Sequence, residues 1–198
     1  MIEKLNRLIN PLMCVSTRWF VESFQLDQQL IHAVDLGIPV RIVYIVRDVL
    51  SLLHNEFRRG VTRYGRGITV GWRSLLRWWR VNRRTERLLQ DSGHPIFHLG
   101  YEELALQPEA ALRKLCDWLD IAFDLSMLEP GLNSRSHIVL GNPMLAKPVE
   151  THAIRYDAAW LTSPALSLRV APLLPSVAAM NRRLVYSHGL LGSTWPAA

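Results

Sequence analysis

The stretch VRIVYIVRD, Val40 to Asp48, decides the fold. Its run from Val40 to Val46 is rich in β-branched residues and apolar on both faces, the pattern of a strand in the middle of a parallel sheet covered by helices. Asp48 is placed to cap the helix that follows, and Gly60 is placed to stop it. Working upstream, RWFVES (Arg18 to Ser23) reads as a second short buried strand. Between them, Leu26, Leu30, Ile31 and Val34 keep helical spacing up to Gly37. Working downstream, GVTRYGRGITVG reads as a glycine-rich loop, and Trp72, Leu75, Leu76 and Trp79 mark one face of a long helix to about Gln90. PIFHL (Pro95 to Leu99) reads as a third buried strand. Pro108 opens a helix through Asp120 that turns Leu112, Leu115, Cys116 and Leu119 inward. From Ala122 to Ala159 the chain reads as mostly irregular, with a short helix near Leu125. Pro164 and Pro175 each sit where a helix can begin, and Gly189 where the last one ends.

Strands alternating with helices predict an α/β fold with a parallel sheet flanked by helices, in a single domain over residues 1–198. Ligands of such sheets bind beyond the carboxyl ends of the strands. Glu22, Ser23, Arg47, Asp48 and Tyr101 to Glu103 each follow a predicted strand directly and share that rim.

With 49% hydrophobic and 20% charged residues, the 198-residue chain is not intrinsically disordered. No apolar run reaches the roughly 18 residues of a membrane span, and no secretory leader is evident, so a cytoplasmic location is expected. Cys14 and Cys116 cannot by themselves make a disulfide framework or a zinc site. The net charge of +6 is concentrated: ten arginines and one acid, Glu86, lie between Arg58 and Arg87. Such a run is either a solvated helix face or a surface for an anionic partner.

Arg47 carries five donors on a planar fork at the end of the central strand, where a phosphate is the natural partner; a structural Arg–Asp pair with Asp48 is the other reading. Glu22, ending the first strand, can act as a general base or as a capping and ion-pairing residue. Tyr101 and Glu102 are expected to fasten the third strand to the next helix. Gly141, in HIVLGNP, lets the backbone approach a ligand closely.

VRIVYIVRD, the W-x3-N of Trp78 and Asn82, YEELALQPEAALRKLCDWLDIAFD, and HIVLGNP with Tyr156 to Trp160 behind it together resemble the sulfotransferases that use 3′-phosphoadenosine 5′-phosphosulfate (PAPS). They stand in that family's order from Arg18 to about Gly189. The resemblance implies a P-loop-NTPase-like core and transfer of a sulfuryl group from PAPS to an acceptor hydroxyl or amine. No metal is called for, because the donor arrives activated. It implies Arg47 on the 3′-phosphate, with Asn55 eight residues on, where relatives place serine. It implies Glu22 as the base, and Gly141 and Asn142 lining the nucleotide site.

Relatives also carry a glycine-, serine- and threonine-rich phosphate loop well upstream of the base. Here no glycine precedes Gly37 and 21 residues precede Glu22, so the core is expected to be N-terminally incomplete. Gly60 to Gly67 lacks the Lys-[Ser/Thr] ending of a P-loop and follows a helix, and is not read as one. An open sheet edge left by a missing strand is expected to favour self-association. The expected acceptor is a small molecule or glycan, and an anionic one would suit the arginines. The alternative is an inactive or truncated relative that binds anions or nucleic acid through Arg58–Arg87. Nucleic acid is disfavoured because Trp72 and Trp79 fall on the apolar stripe.

Overall fold

Two parallel strands form where the β-branched and aromatic runs stand. In the computed structural model, which describes residues 40–64, 67–129, 156, 158–163 and 169–190, β1 (Ile42–Val46) pairs with β2 (Ile96–Gly100). The register runs from Ile42 opposite Ile96 to Val46 opposite Gly100, so both strands end on one line. The parallel crossover is made by two helices, α1 (Val49–Tyr64) and α2 (Gly67–Asp91). After β2 the chain turns at once into α3 (Tyr101–Leu106) and then α4 (Pro108–Leu119). A later helix, α5 (Pro175–Val185), returns to the sheet. The readings at Arg18–Ser23, Gln25–Leu36, Gly141, Asn142 and Pro164 lie outside the described residues.

Alternation along the strands sorts their side chains into two layers. Val46, with Val49, Leu50 and Leu53 of α1, Leu75 and Trp78 of α2, and Met180 and Leu184 of α5, forms one core. Phe97, Leu99 and Ala111 form the other, against Val43, Leu115 and Trp118. This is the α/β arrangement that the strand and helix pattern predicts, with helices on both faces of a parallel pair. The covering of β1 is incomplete, however: Val43 is half-buried beneath α4, whereas Ile45 is 59% exposed on the same face.

The structure corrects several local readings. Gly60 does not stop α1; it is buried inside a helix that continues to Tyr64. The expected loop over residues 60–71 is therefore largely helical, and only 65–66 fall outside the described residues. A helical glycine costs about 1 kcal/mol relative to alanine, which the packing of Leu50 and Leu53 in one core with Leu75 and Trp78 outweighs. On α2 the buried stripe is Leu75, Trp78, Asn82, Thr85 and Leu89, while Trp72 and Trp79 flank it half-buried and Leu76 is exposed. Two of those buried residues are polar, which hid the stripe from an apolar count. In α4, Ala111 and Cys116 are the buried residues, and Leu112, Leu115 and Leu119 are only half-buried.

The helix starts follow their residues. Pro108 and Pro175 occupy first-turn positions, where a missing N–H costs nothing. α4 stops at Asp120, which adopts the left-handed conformation with φ of 59°. α5 ends at Val185, ahead of the expected Gly189, which instead takes a positive φ of 61° in the turn beyond. Among the described residues no helix is long and apolar enough to cross a membrane.

Candidate functional site

Since β1 and β2 end level, the residues just beyond them meet. β1 delivers Arg47 and Asp48; β2 delivers Tyr101, Glu102 and Glu103. Arg47 is held from three sides. The Trp78 indole N–H donates to its carbonyl at 3.1 Å. Its guanidinium carbon stands 5.4 Å from the centre of the Tyr101 ring, and its Nε lies 3.9 Å from Oε1 of Glu102. The side chain still keeps about a third of its surface exposed. An arginine placed in this way at the end of a strand can present its charge to an anion at the rim.

The W-x3-N spacing gains a physical meaning here. Trp78 clips Arg47, and one turn later the Asn82 amide donates to the Trp78 carbonyl at 2.7 Å. The Asn82 side-chain oxygen in turn accepts from the Tyr44 hydroxyl at 2.6 Å. Two contacts one helical turn apart thus set α2 along β1 and fix where the strand ends.

Beneath Arg47 lies a buried carboxylate pair. Glu102 is 1% exposed; its Oε2 accepts the Asp48 N–H at 2.7 Å, and the Ser51 hydroxyl also bonds to it. Its Oε1 accepts no hydrogen bond from the described residues. Burial, reinforced by the nearby Asp48 charge, pushes the Glu102 carboxyl up to about 7. Asp48 is the cap of α1 that the sequence predicts: its Oδ1 accepts from the Leu50 N–H at 2.6 Å. Its Oδ2 accepts from the Asn181 amide at 2.7 Å and from the Tyr186 hydroxyl at 2.8 Å. Burial first, then the Asp48 charge, holds the Tyr186 phenol protonated far above its ordinary range. Asn181 also takes the Val49 N–H through its side-chain oxygen at 3.0 Å.

The outcome decides what the rim can do. The amides of Asp48, Val49 and Leu50 are met by Glu102, Asn181 and Asp48 itself. A bare helix N-terminus would offer those N–H groups to an anion. Here Arg47, not the helix terminus, is the group turned outward. The structural Arg–Asp pair is replaced by an Arg47–Glu102 pair, while Asp48 binds α5.

Of the expected site residues, Arg47 stands at the rim. Asn55 sits half-buried on α1, one turn beyond Ser51 and on the same face, and makes no side-chain hydrogen bond to the described residues. It is about 9 Å along the helix from Val49, its first residue, at 1.5 Å per residue. Glu22, Gly141 and Asn142 lie outside the described residues. Sequence reasoning missed Asn181 and Tyr186, which reach Asp48 across 133 and 138 residues and carry no local signal. It took Glu102 as a fastener without its charge; two acids directly behind a buried strand were the available cue. Glu103 is the fastener, accepting the backbone N–H groups of His188 and Leu190.

Every one of these contacts except those to α5 and the turn after it joins residues between 39 and 125. That interval matches the sequence model of the sulfotransferase family. Over residues 39–125, less than half of the chain, the protein is similar to that family. The chain is also similar to cytosolic sulfotransferase 7 of Arabidopsis thaliana, 34% identical over 85 residues. That match covers 43% of this chain and 23% of the plant protein, so it spans under a quarter of its relative's length. No solved structure matches. The matching segment includes Arg47, Asn55, Trp78, Asn82, Tyr101 and Glu102, and excludes Glu22, Gly141 and Asn142.

Proposed function

We propose that the protein is a sulfotransferase that moves a sulfuryl group from PAPS to the hydroxyl or amine of an acceptor. The observation that carries this reading is Arg47, fixed at the carboxyl end of β1 between the Tyr101 ring and Glu102, within the segment that matches the family. A rim arginine with a clipped backbone and an aromatic plate beneath it fits a phosphorylated nucleotide. When bound, PAPS supplies an already activated sulfuryl group, so the protein's task is to hold, orient and move one proton. Arg47 holds the 3′-phosphate, and Asn55, on the helix leaving the rim, is the second donor toward it. Trp78 and Glu102 keep Arg47 in place. Glu22 takes the proton of the acceptor, and Gly141 and Asn142 line the nucleotide. Charge neutralisation at the rim is what sulfuryl transfer, like phosphoryl transfer, asks of the protein.

The test is calorimetric titration of the whole chain with 3′,5′-adenosine bisphosphate and with 5′-AMP, at low and high salt. Binding that requires the 3′-phosphate and survives salt supports the reading. Equal binding of both nucleotides, or binding that disappears with salt, refutes a stereospecific pocket. Glu22→Gln should leave nucleotide affinity unchanged and abolish turnover, and retained turnover would assign the base elsewhere.

A further inference from the structure

The rim accounts for little of the positive charge. Arg73, Arg77, Arg80, Arg83, Arg84 and Arg87 are all exposed on α2. At 100° per residue they centre on the side opposite the buried Leu75, Trp78 and Leu89. They span about 21 Å of one rigid helix at 1.5 Å per residue. The one acid within the arginine run, Glu86, does not neutralise them. Its carboxylate faces α5 and is taken by Arg183 through two hydrogen bonds of 2.8 and 2.7 Å. Leu76, 53% exposed, lies among the arginines.

The shape of this face narrows its partner. A shallow depression of about 490 Å³ runs along it, lined by Trp79, Arg80, Arg83, Arg84, Arg87 and Leu88. All six belong to α2, and among the described residues no second element faces them across it. A small anion needs donors converging from several sides. A single nucleic-acid strand needs free aromatic plates, but Trp78 is buried with its N–H on Arg47, and Arg83 lies 5.0 Å over the Trp79 ring. A row of exposed guanidinium groups along one helix, with an exposed leucine among them, instead complements a broad, flat anionic surface, with the leucine entering at headgroup depth.

We propose that the arginine face of α2 docks the protein on the surface of a bilayer containing anionic phospholipid. This rests on the charge and shape of α2 alone and stands or falls independently of the sulfotransferase reading.

Flotation of the full chain with phosphatidylcholine vesicles, with and without about 30% phosphatidylserine, tests it. Binding is expected only to the anionic vesicles, and should be lost in salt as the Debye length falls from about 10 Å at 0.1 M to about 3 Å at 1 M. Each arginine near such a surface contributes about five-fold in partition, so R80Q/R84Q/R87Q should lose about a hundred-fold. The corresponding triple lysine variant should keep most of the binding, and R73Q/R77Q, at the other end of the face, gives a second variant should the first not fold. Equal binding to neutral vesicles, no binding to anionic ones, or undiminished binding by the glutamine variants overturns the proposal. Single-stranded DNA that displaces the protein from vesicles and depends on the same arginines would make nucleic acid the partner instead.

Discussion

The buried carboxyl of Glu102 makes stability depend on pH in a direction opposite to most acids. Its folded value of about 7 stands above its ordinary 4.5, chiefly because burial disfavours the charge. The native state therefore binds this proton more tightly than the unfolded chain. The associated stabilisation is fully present below about pH 4.5, declines as pH rises, and is gone above about pH 7. A difference near 2.5 pH units corresponds to about 3 kcal/mol. Glu102→Gln removes the titration while its amide oxygen can still accept the Asp48 N–H. The variant should therefore gain about 3 kcal/mol relative to the parent chain between about pH 4.5 and pH 8. Urea unfolding at several pH values reads this directly, with an unchanged slope showing that both chains expose the same surface. His98, lowered mainly by burial, adds stability as pH rises through its range; Asp124, lowered by its Ser126 contacts, acts at lower pH. Both are common to the two chains and cancel in the difference. The groups facing Glu102 are Asp48, Ser51, Tyr186 and Arg47. The Asp48 N–H and the Ser51 hydroxyl lower the carboxyl without offsetting burial, and Arg47, the one cation of the four, stands at 3.9 Å with a third of its side chain in solvent. Parallel pH profiles for the two chains would mean that Arg47 outweighs burial, and would refute the reasoning.

Arg47→Ala should weaken binding of 3′,5′-adenosine bisphosphate by roughly ten- to a hundred-fold, the worth of hydrogen bonds to a charged group; unchanged affinity by calorimetry would remove Arg47 from the site. Asp48→Ala strips the α1 cap and leaves Asn181 and Tyr186 as buried donors, so urea unfolding should show a loss of about 3–5 kcal/mol. Asp48→Asn should lose less but remain destabilised, because its amide faces the Asn181 donor; parent-like stability would show that Asn181 can turn freely. Gly100→Ala would put a Cβ 1.6 Å from the Val185 carbonyl oxygen, a clash of backbone against backbone. It should cost more than the 1–3 kcal/mol usual for overpacking, and a parent-like melting temperature would contradict the packing of α5 on β2.

What could be read in the sequence, and what could not, divides by distance along the chain. β1 and β2 were legible because their residues are β-branched and aromatic over a few consecutive positions, and Arg47 and Glu102 because each directly follows such a run. The Asp48 cap was legible for the same reason, and Pro108 and Pro175 announced the helices they open. Gly60 misled because its cost is local, whereas what overrides it is the burial of Leu53 against α2, a tertiary effect. The α2 stripe misled because Asn82 and Thr85 interrupt it. Asn82 is buried because the Trp78 carbonyl and the Tyr44 hydroxyl satisfy it, and neither partner can be inferred from an apolar count.

The least legible part matters most for the rim. Asn181, more than 130 residues from Asp48, closes the Val49 amide and binds the cap carboxylate. An anion arriving at α1 in its place would have to break the Val49–Asn181 bond, a neutral pair worth about 0.5–1.5 kcal/mol, and the Asn181 bond to the Asp48 carboxylate, worth about 1.5–3 kcal/mol. Arg47 stands beside that helix end with its backbone carbonyl held by Trp78 and about a third of its side chain exposed. Under the proposed function an anion site on this edge would rest on the arginine side chain, with the helix terminus committed to structure, and substitutions at Asn181 should lower stability before they alter any affinity. Comparing Asn181→Ala by urea unfolding and by nucleotide titration separates the two: affinity that rises once the Val49 amide is released would show that α5 had been competing with the ligand for the helix end.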